Sequence, residues 1–246
     1  TIAEGNSSIA IGNDDVDRTN TITTKYTNLK GEETTGTIGD AYNALTGKSL
    51  MDGGQYRDTK SKEAAVAIGV KALAGNISLA LGTASSADVV NGVAIGTGAT
   101  VTRDNAIAIG GGATTEKEGT KEVDVTVNGI HYTWKGGENT IAGDVVSFGK
   151  EGYERQLKHV AAGKVSKDST DAINGSQLHG VLEHITSEPV YFYAADNSSL
   201  DKITGTTAEA KDADALAKKI VARSMSNHRL NILGGATGDL SDNNIG

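Results

Sequence analysis

The chain is 246 residues long, carries a formal charge of −8 and holds no cysteine, which excludes disulfide frameworks and thiolate chemistry and leaves no basic stripe for a nucleic-acid backbone. Its 32 glycines, single proline, two Phe and one Trp, with only 37% hydrophobic residues, fit thin stacked layers of Ala, Val and Ile better than a thick globular core. No stretch approaches the ~20 apolar residues of a membrane-spanning helix, no leader peptide opens the chain, and both ends are expected to be cuts within a longer polypeptide.

The chain opens on a pentapeptide that returns. Ser8-Ile9-Ala10-Ile11-Gly12 is followed by Ala65-Val66-Ala67-Ile68-Gly69, Ser78-Leu79-Ala80-Leu81-Gly82, Gly92-Val93-Ala94-Ile95-Gly96 and Ala106-Ile107-Ala108-Ile109-Gly110, the last four 13, 14 and 14 residues apart. A fixed short period predicts a solenoid, in which each coil buries its apolar face only against its neighbours. A β-sandwich does not repeat one pentapeptide at constant spacing. Within each unit the side chains alternate, and apolar residues on both sides imply that both sheet faces are dry. Ile9, Ile11, Val66, Ile68, Leu79, Leu81, Val93, Ile95, Ile107 and Ile109 are expected to fill the coil interior and the core shared between copies. The small alanine face is expected to meet a neighbouring chain.

The unit S/A-V/I-A-I-G, with N-A-I-A-I-G at Asn105–Gly110 and the G-x-x-A continuation at Ala72, Ala99 and Ala113, resembles the YadA-like head repeat of the trimeric autotransporter adhesins. The resemblance implies a mainly β fold, a left-handed parallel β-roll with 14-residue repeats, standing as a homotrimer. On this reading residues 1–115 form the head.

Residues 13–64 interrupt it. The stretch is rich in Thr, Asp and Gly, and Asp40 to Gly47 predicts a short helix with an Asp N-cap and a terminating glycine. It reads either as a cover over the first coil or as a binding loop, with Tyr26, Tyr42 and Tyr56 as candidate ligand contacts.

In the connector, 116–152, Val123 to Trp134 predicts a hairpin around Asn128-Gly129, pairing Val127 with Ile130, Val125 with Tyr132 and Val123 with Trp134 on one apolar face. That face is expected to pack on the last coil or on a neighbouring subunit.

Residues 153–187 follow. Arg155-Gln156-Leu157, Val160-Ala161-Ala162-Gly163, Asp171-Ala172-Ile173-Asn174 and Gln177-Leu178 are similar to the neck of the same adhesins, with His159 where an Asn is usual. Ser169 or Thr170 is the expected helix cap. Leu178, Leu182 and Ile185 predict a narrow seam, too short to be stable without partner chains, hence a short coiled coil.

Residues 188–246 predict a strand at Val190–Tyr193 and a helix over 212–223. The runs Leu230–Ala236 and Leu240–Gly246 resemble part of a Trp-ring or GIN-type adhesin module, an incomplete α+β unit.

No catalytic, metal or cofactor site is expected. The five histidines make no ligand set with carboxylates, the glycine-rich turns lack phosphate-loop context, and Asp14-Asp15-Val16-Asp17 lacks a calcium loop's glycine and terminal glutamate. The resemblance implies a non-enzymatic bacterial surface adhesin, anchored to the outer membrane by another region. Its partners would be two sister chains and host extracellular matrix or cell-surface proteins, or other bacteria, with no nucleic acid and no direct membrane insertion. A trimeric fibre shaft shares the physics. A left-handed β-helix acyltransferase does not: it needs hexapeptide repeats and a catalytic histidine in the solenoid, and the first histidine here is His131.

Overall fold

A computed structural model describes residues 1–13, 15–52, 54, 56–187, 190–193 and 220–223. Strands β1 (Ile2–Ala3) and β2 (Ile9–Ile11) open the chain. A detour follows, made of a 3-10 turn at Asp17–Asn20, an antiparallel hairpin of β3 (Thr23–Thr27) and β4 (Glu33–Thr37), and helix α1 (Ile38–Thr46). Short strands then alternate: β5 (Lys60–Ser61), β6 (Val66–Ile68), β7 (Leu73–Ala74), β8 (Leu79–Leu81), β9 (Ser86–Ala87), β10 (Val93–Ile95) and β11 (Ile107–Ile109). An arm carrying β12 (Asp124–Val127) and β13 (Ile130–Thr133) leads back to β14 (Val146–Ser147). Helix α2 (Gly175–Ser187) and the strands β15 (Val190–Tyr193) and β16 (Ile220–Arg223) complete the described elements. They fall into two compact units, Thr1–His159 with Ser166–Thr170, and Val160–Val165 with Asp171–Gly246.

In the first unit the strands sort into two parallel sheets. β1, β5, β7 and β9 make one, continued by single bridges from Ser86 to Thr100 and from Thr100 to Thr114. β2, β6, β8, β10, β11 and β14 make the other. Each step along the chain crosses from one sheet to the other, so the strands stack as six coils. At about 4.8 Å per row the stack is roughly 25 Å tall. The sixth coil is one that the repeat pattern missed. Val145-Val146-Ser147-Phe148-Gly149 is a disguised pentapeptide, and Val146 and Ser147 pair with Ile107 and Ala108. The coils therefore run past residue 115, and the segment 116–144 is an excursion within the last one.

The faces are the reverse of the expectation. Ala67, Ala80, Ala94 and Ala108 are in register and wholly buried, opposed by Ser61, Ala74 and Ala87 from the other sheet. The aliphatic side chains on either side of each alanine point outward: Val66, Ile68, Leu79, Val93, Ile95, Ile107 and Ile109 are only partly buried, and Ile9, Ile11 and Leu81 are exposed. The physical reason is width. The two sheets are joined by turns so tight that the space between them takes Ala and Ser, and a branched side chain would overpack it.

A glycine closes each outer strand because the next coil passes directly over it. A Cβ at Gly82, where φ is +133°, would lie 2.7 Å from the backbone of Gly96. The opposite turn also needs left-handed backbone, at Ser7, Ala64, Ile77, Asn91 and Asn105. Asparagine tolerates this; a β-branched residue does not. Ile77, at φ +50° and 55% exposed, is the strained member. Ile77→Asn is expected to raise stability by about 1 kcal/mol in urea unfolding, since left-handed backbone costs an L-residue roughly that much.

The expected short helix is present with a different cap. Thr37 is the N-cap, its hydroxyl oxygen accepting from Asp40 N–H at 3.0 Å, while the Asp40 carboxylate accepts from Thr37 N–H at 3.0 Å. This is a capping box with Asp40 as its third residue, and these hydrogen bonds hold the Asp40 carboxyl below its ordinary range. Gly47 ends the helix in left-handed conformation, as expected. The 116–144 hairpin has the expected register, Val125 opposite Tyr132 and Val127 opposite Ile130.

In the second unit α2 starts at Gly175, so neither Ser169 nor Thr170 caps it. Asn174 does, its side-chain oxygen accepting from Ser176 N–H and Gln177 N–H at 3.2 and 3.4 Å. The expected helix over 212–223 is corrected at its end: Ile220–Arg223 is a strand, antiparallel to Val190–Tyr193, as β-branched Ile220 and Val221 favour. Residues 212–219 and the runs Leu230–Ala236 and Leu240–Gly246 lie outside the described residues.

Candidate binding surfaces

The largest feature of the coil stack is its outward apolar face. Two files of side chains run along the six-stranded sheet: Ile9, Val66, Leu79, Val93, Ile107 and Val146 in one, Ile11, Ile68, Leu81, Ile95, Ile109 and Phe148 in the other. Five of the twelve, Ile9, Ile11, Leu81, Val146 and Phe148, are exposed, and the other seven are partly buried. Phe148 and Val146 belong to the disguised sixth unit; the alternation around Ser147 was the signal for them.

The detour from 13 to 64 is a strap along one edge of the stack. Tyr42 and Thr46 of α1 are buried against the turns of the fifth and sixth coils, and a Cβ at Gly98 would sit 3.0 Å from the Tyr42 hydroxyl. A Cβ at Gly112 would meet the Thr46 backbone at 3.0 Å. At the matching turn of the third coil stands Lys71, and of the fourth Ala84, both with positive φ. So Gly98 and Gly112 are small because the helix rests on them. Lys71 is wholly buried and its ammonium donates to the carbonyls of Leu50, at 2.5 Å, and Gly54. Burial, and then the adjacent Arg57 guanidinium, push it below the ordinary lysine range. Lys48 donates to the Thr100 hydroxyl and Lys150 to the Thr46 carbonyl, at 3.0 Å for the latter. Lys71→Ala, the residue already present at the next coil, is expected to free residues 48–58 to limited proteolysis while the coils keep their circular-dichroism spectrum.

This arrangement settles the three tyrosines differently. Tyr42 is 6% exposed, and burial raises its hydroxyl above the usual range; it holds the strap down and cannot meet a ligand. The expectation for it is corrected. Tyr26 on β3 is half-buried beside Gly36, and Tyr56 is exposed in the loop before β5.

At the stack's far end Arg155 caps the turns of the last two coils. Its guanidinium donates to the carbonyls of Gly111, at 2.7 Å, and Phe148, oxygens that another strand would otherwise satisfy. Beside it opens a cleft of about 550 Å3 lined by Glu116, Lys117, Val146, Phe148 and Glu154. In the second unit the neck-type residues are a mutual clasp. Gln177 accepts from Gly163 N–H at 3.0 Å and donates to Gly163 C=O at 2.7 Å, Asn174 donates to Val160 C=O at 3.0 Å, and Asp171 accepts from Lys164 N–H at 2.9 Å. Leu178, Leu182 and Ile185 lie on one stripe of α2, each exposed. Among the described residues no group of three His, Asp or Glu could hold a metal ion, and no helix is long and apolar enough to cross a membrane.

Parallel coils, a glycine closing each outer strand and an outward aliphatic face describe a repetitive scaffold of the kind that presents surfaces. Comparison with known proteins names its kin. No protein-family model matches the chain. Over 64 residues, 26% of this chain, it is 47% identical to the autotransporter adhesin BtaE of Brucella suis biovar 1 (strain 1330), and it spans 8% of that relative's length. Among solved structures, the C-terminal YadA-like domain of a Burkholderia pseudomallei protein is 29% identical, with a TM-score of 0.36, over 66% of this chain and 64% of that one. The collagen-binding domain of the Yersinia adhesin YadA is 31% identical, with a TM-score of 0.35, over 50% of this chain and 55% of its own. The BtaE match bears out the resemblance to the trimeric autotransporter adhesins read from the repeats.

Proposed function

We propose that this chain is a passenger segment of a bacterial trimeric autotransporter adhesin. Its coil stack is then a left-handed β-roll head in a homotrimer, its α2 helix the start of a coiled-coil neck, and its last residues part of a further head-type module. Held at the outer membrane by a segment beyond these 246 residues, it attaches the cell to host matrix or cell-surface proteins or to sister cells. The observation that carries the reading is the double file of twelve outward side chains. Fully burying one aliphatic side chain contributes about 1.5–3 kcal/mol, so covering the exposed ones gives on the order of 1 kcal/mol each, the partly buried ones less, and the face several kcal/mol in all. Water is a poor partner for such a face; two copies of the same chain are a good one. The stripe of Leu178, Leu182 and Ile185 asks for the same partners. Three identical faces then raise avidity without tight single sites, and binding needs no catalytic residue.

Sedimentation equilibrium tests assembly, with three times the 25.2 kDa chain mass expected. Retention of beads coated with the trimer on matrix proteins and on cultured cells, against beads coated with an unrelated trimer, tests attachment. A folded monomer, or beads that stick to neither, overturns the reading.

A further inference from the structure

The arm from 116 to 144 has a face that the coil stack does not use. Val125 and Val127 on β12, Ile130 and Tyr132 on β13, and Trp134 just beyond are 37–57% exposed, with the cross-strand pairs aligned so that all five share one side. Asp124, Thr126, His131 and Thr133 take the other side, where the Thr126 hydroxyl and His131 Nδ1 are 3.3 Å apart. A two-stranded ribbon is marginal in water, and a continuous strip of aromatic and branched side chains is an interaction surface rather than scattered exposure.

We propose that this face docks on a second copy of the chain, making residues 116–144 an arm that each copy lays over its neighbour. The inference rests on the trimer reading above. Three observations choose this occupant. The arm leaves after Thr115 and returns at Val145, next to Val146, the last member of one outward apolar file, so it springs from the end of the face that awaits other copies. The base of the arm is fixed: Gly119 N–H donates to Ala142 C=O at 3.0 Å, and Asn105 donates through its side chain to Asp144 at 2.7 Å. The arm therefore emerges in a set direction. The chain from Thr115 to the tip at Asn128 allows a reach of at most about 40 Å, several times the ~10 Å separation of two packed sheets. Such a reach spans an adjacent stack. The segment also holds more acidic than basic side chains, which argues against an anionic lipid surface.

Trp134 is the protein's only tryptophan, so its fluorescence reports this face alone. In the assembled chain its emission is expected at shorter wavelength, and acrylamide quenching severalfold weaker, than in the urea-unfolded chain. Ile130→Glu, at the arm's tip and remote from the coils, is expected to restore strong quenching with the sedimentation mass still that of a trimer. Thr126→Glu, on the polar side, is expected to change neither. A trimer in which Trp134 quenches as freely as in urea overturns the arm and leaves the trimer standing. A monomer removes the trimer reading and the arm with it.

Discussion

Gly82→Val is expected to leave no cooperatively melting coil stack. Two independent penalties meet at that position. The backbone φ of +133° lies where an L side chain is strained, and any Cβ would stand 2.7 Å from the Gly96 carbonyl carbon of the next coil. That neighbour is backbone held by its own ladder, with Gly96 N–H bonded to Leu81 C=O at 2.8 Å, so it cannot move aside cheaply. Stacked coils transmit the displacement, since each is stabilised by the ones beside it. A loss above about 4 kcal/mol, the range of the severest single substitutions, is expected. Thermal melting followed by circular dichroism checks it. A variant melting within a few degrees of the parent would mean that the rows are not packed this closely.

The double substitution Leu81→Lys with Ile95→Lys is expected to give a folded monomer. Both side chains project from the outward file, Leu81 directly beside Ile95 in the ladder, so the coil interior built on Ala80 and Ala94 is untouched. In an assembly the two ammonium groups would be sealed from water against the partner's aliphatic face. Such burial without a counter-charge costs several kcal/mol per group, and two such groups outweigh the several kcal/mol offered by the face. Sedimentation should fall to the 25.2 kDa chain mass with the β spectrum retained. If the trimer persists, this face is not the interface.

How far the sequence announced these surfaces differs from element to element. The spacing of the pentapeptides announced the coils, and Asn128-Gly129 announced the hairpin with its register, because both signals are local. The direction of the side chains was misread. Alternation says that Ile95 and Ala94 oppose each other; it does not say which side is inside. The signal lay in the second strand of each coil, where Ser61, Ala74 and Ala87 leave room only for alanine opposite. The sixth unit was hidden because Ser147 and Phe148 replace the usual Ala and Ile, and because 39 residues separate its Asp144 from Asn105. The strap was the least legible part. Tyr42 looks like a free aromatic until Gly98 and Gly112 are seen as the small floor beneath it, and that relation joins residues far apart in the chain. The clasp of Asp171, Asn174 and Gln177 was visible only as a resemblance; its hydrogen bonds to Val160–Lys164 supply the reason for those residue types.

The two excursions also set an order of assembly in time. Neighbouring middle coils meet over some 14 residues, as Asn91 and Asn105 do, whereas joining the first coil to the second closes a loop of 57, as between Asn6 and Glu63. The longer closure costs about 1 kcal/mol more in chain entropy. Coils two to five are therefore the natural nucleus during folding, and the first and last rows zip on afterwards.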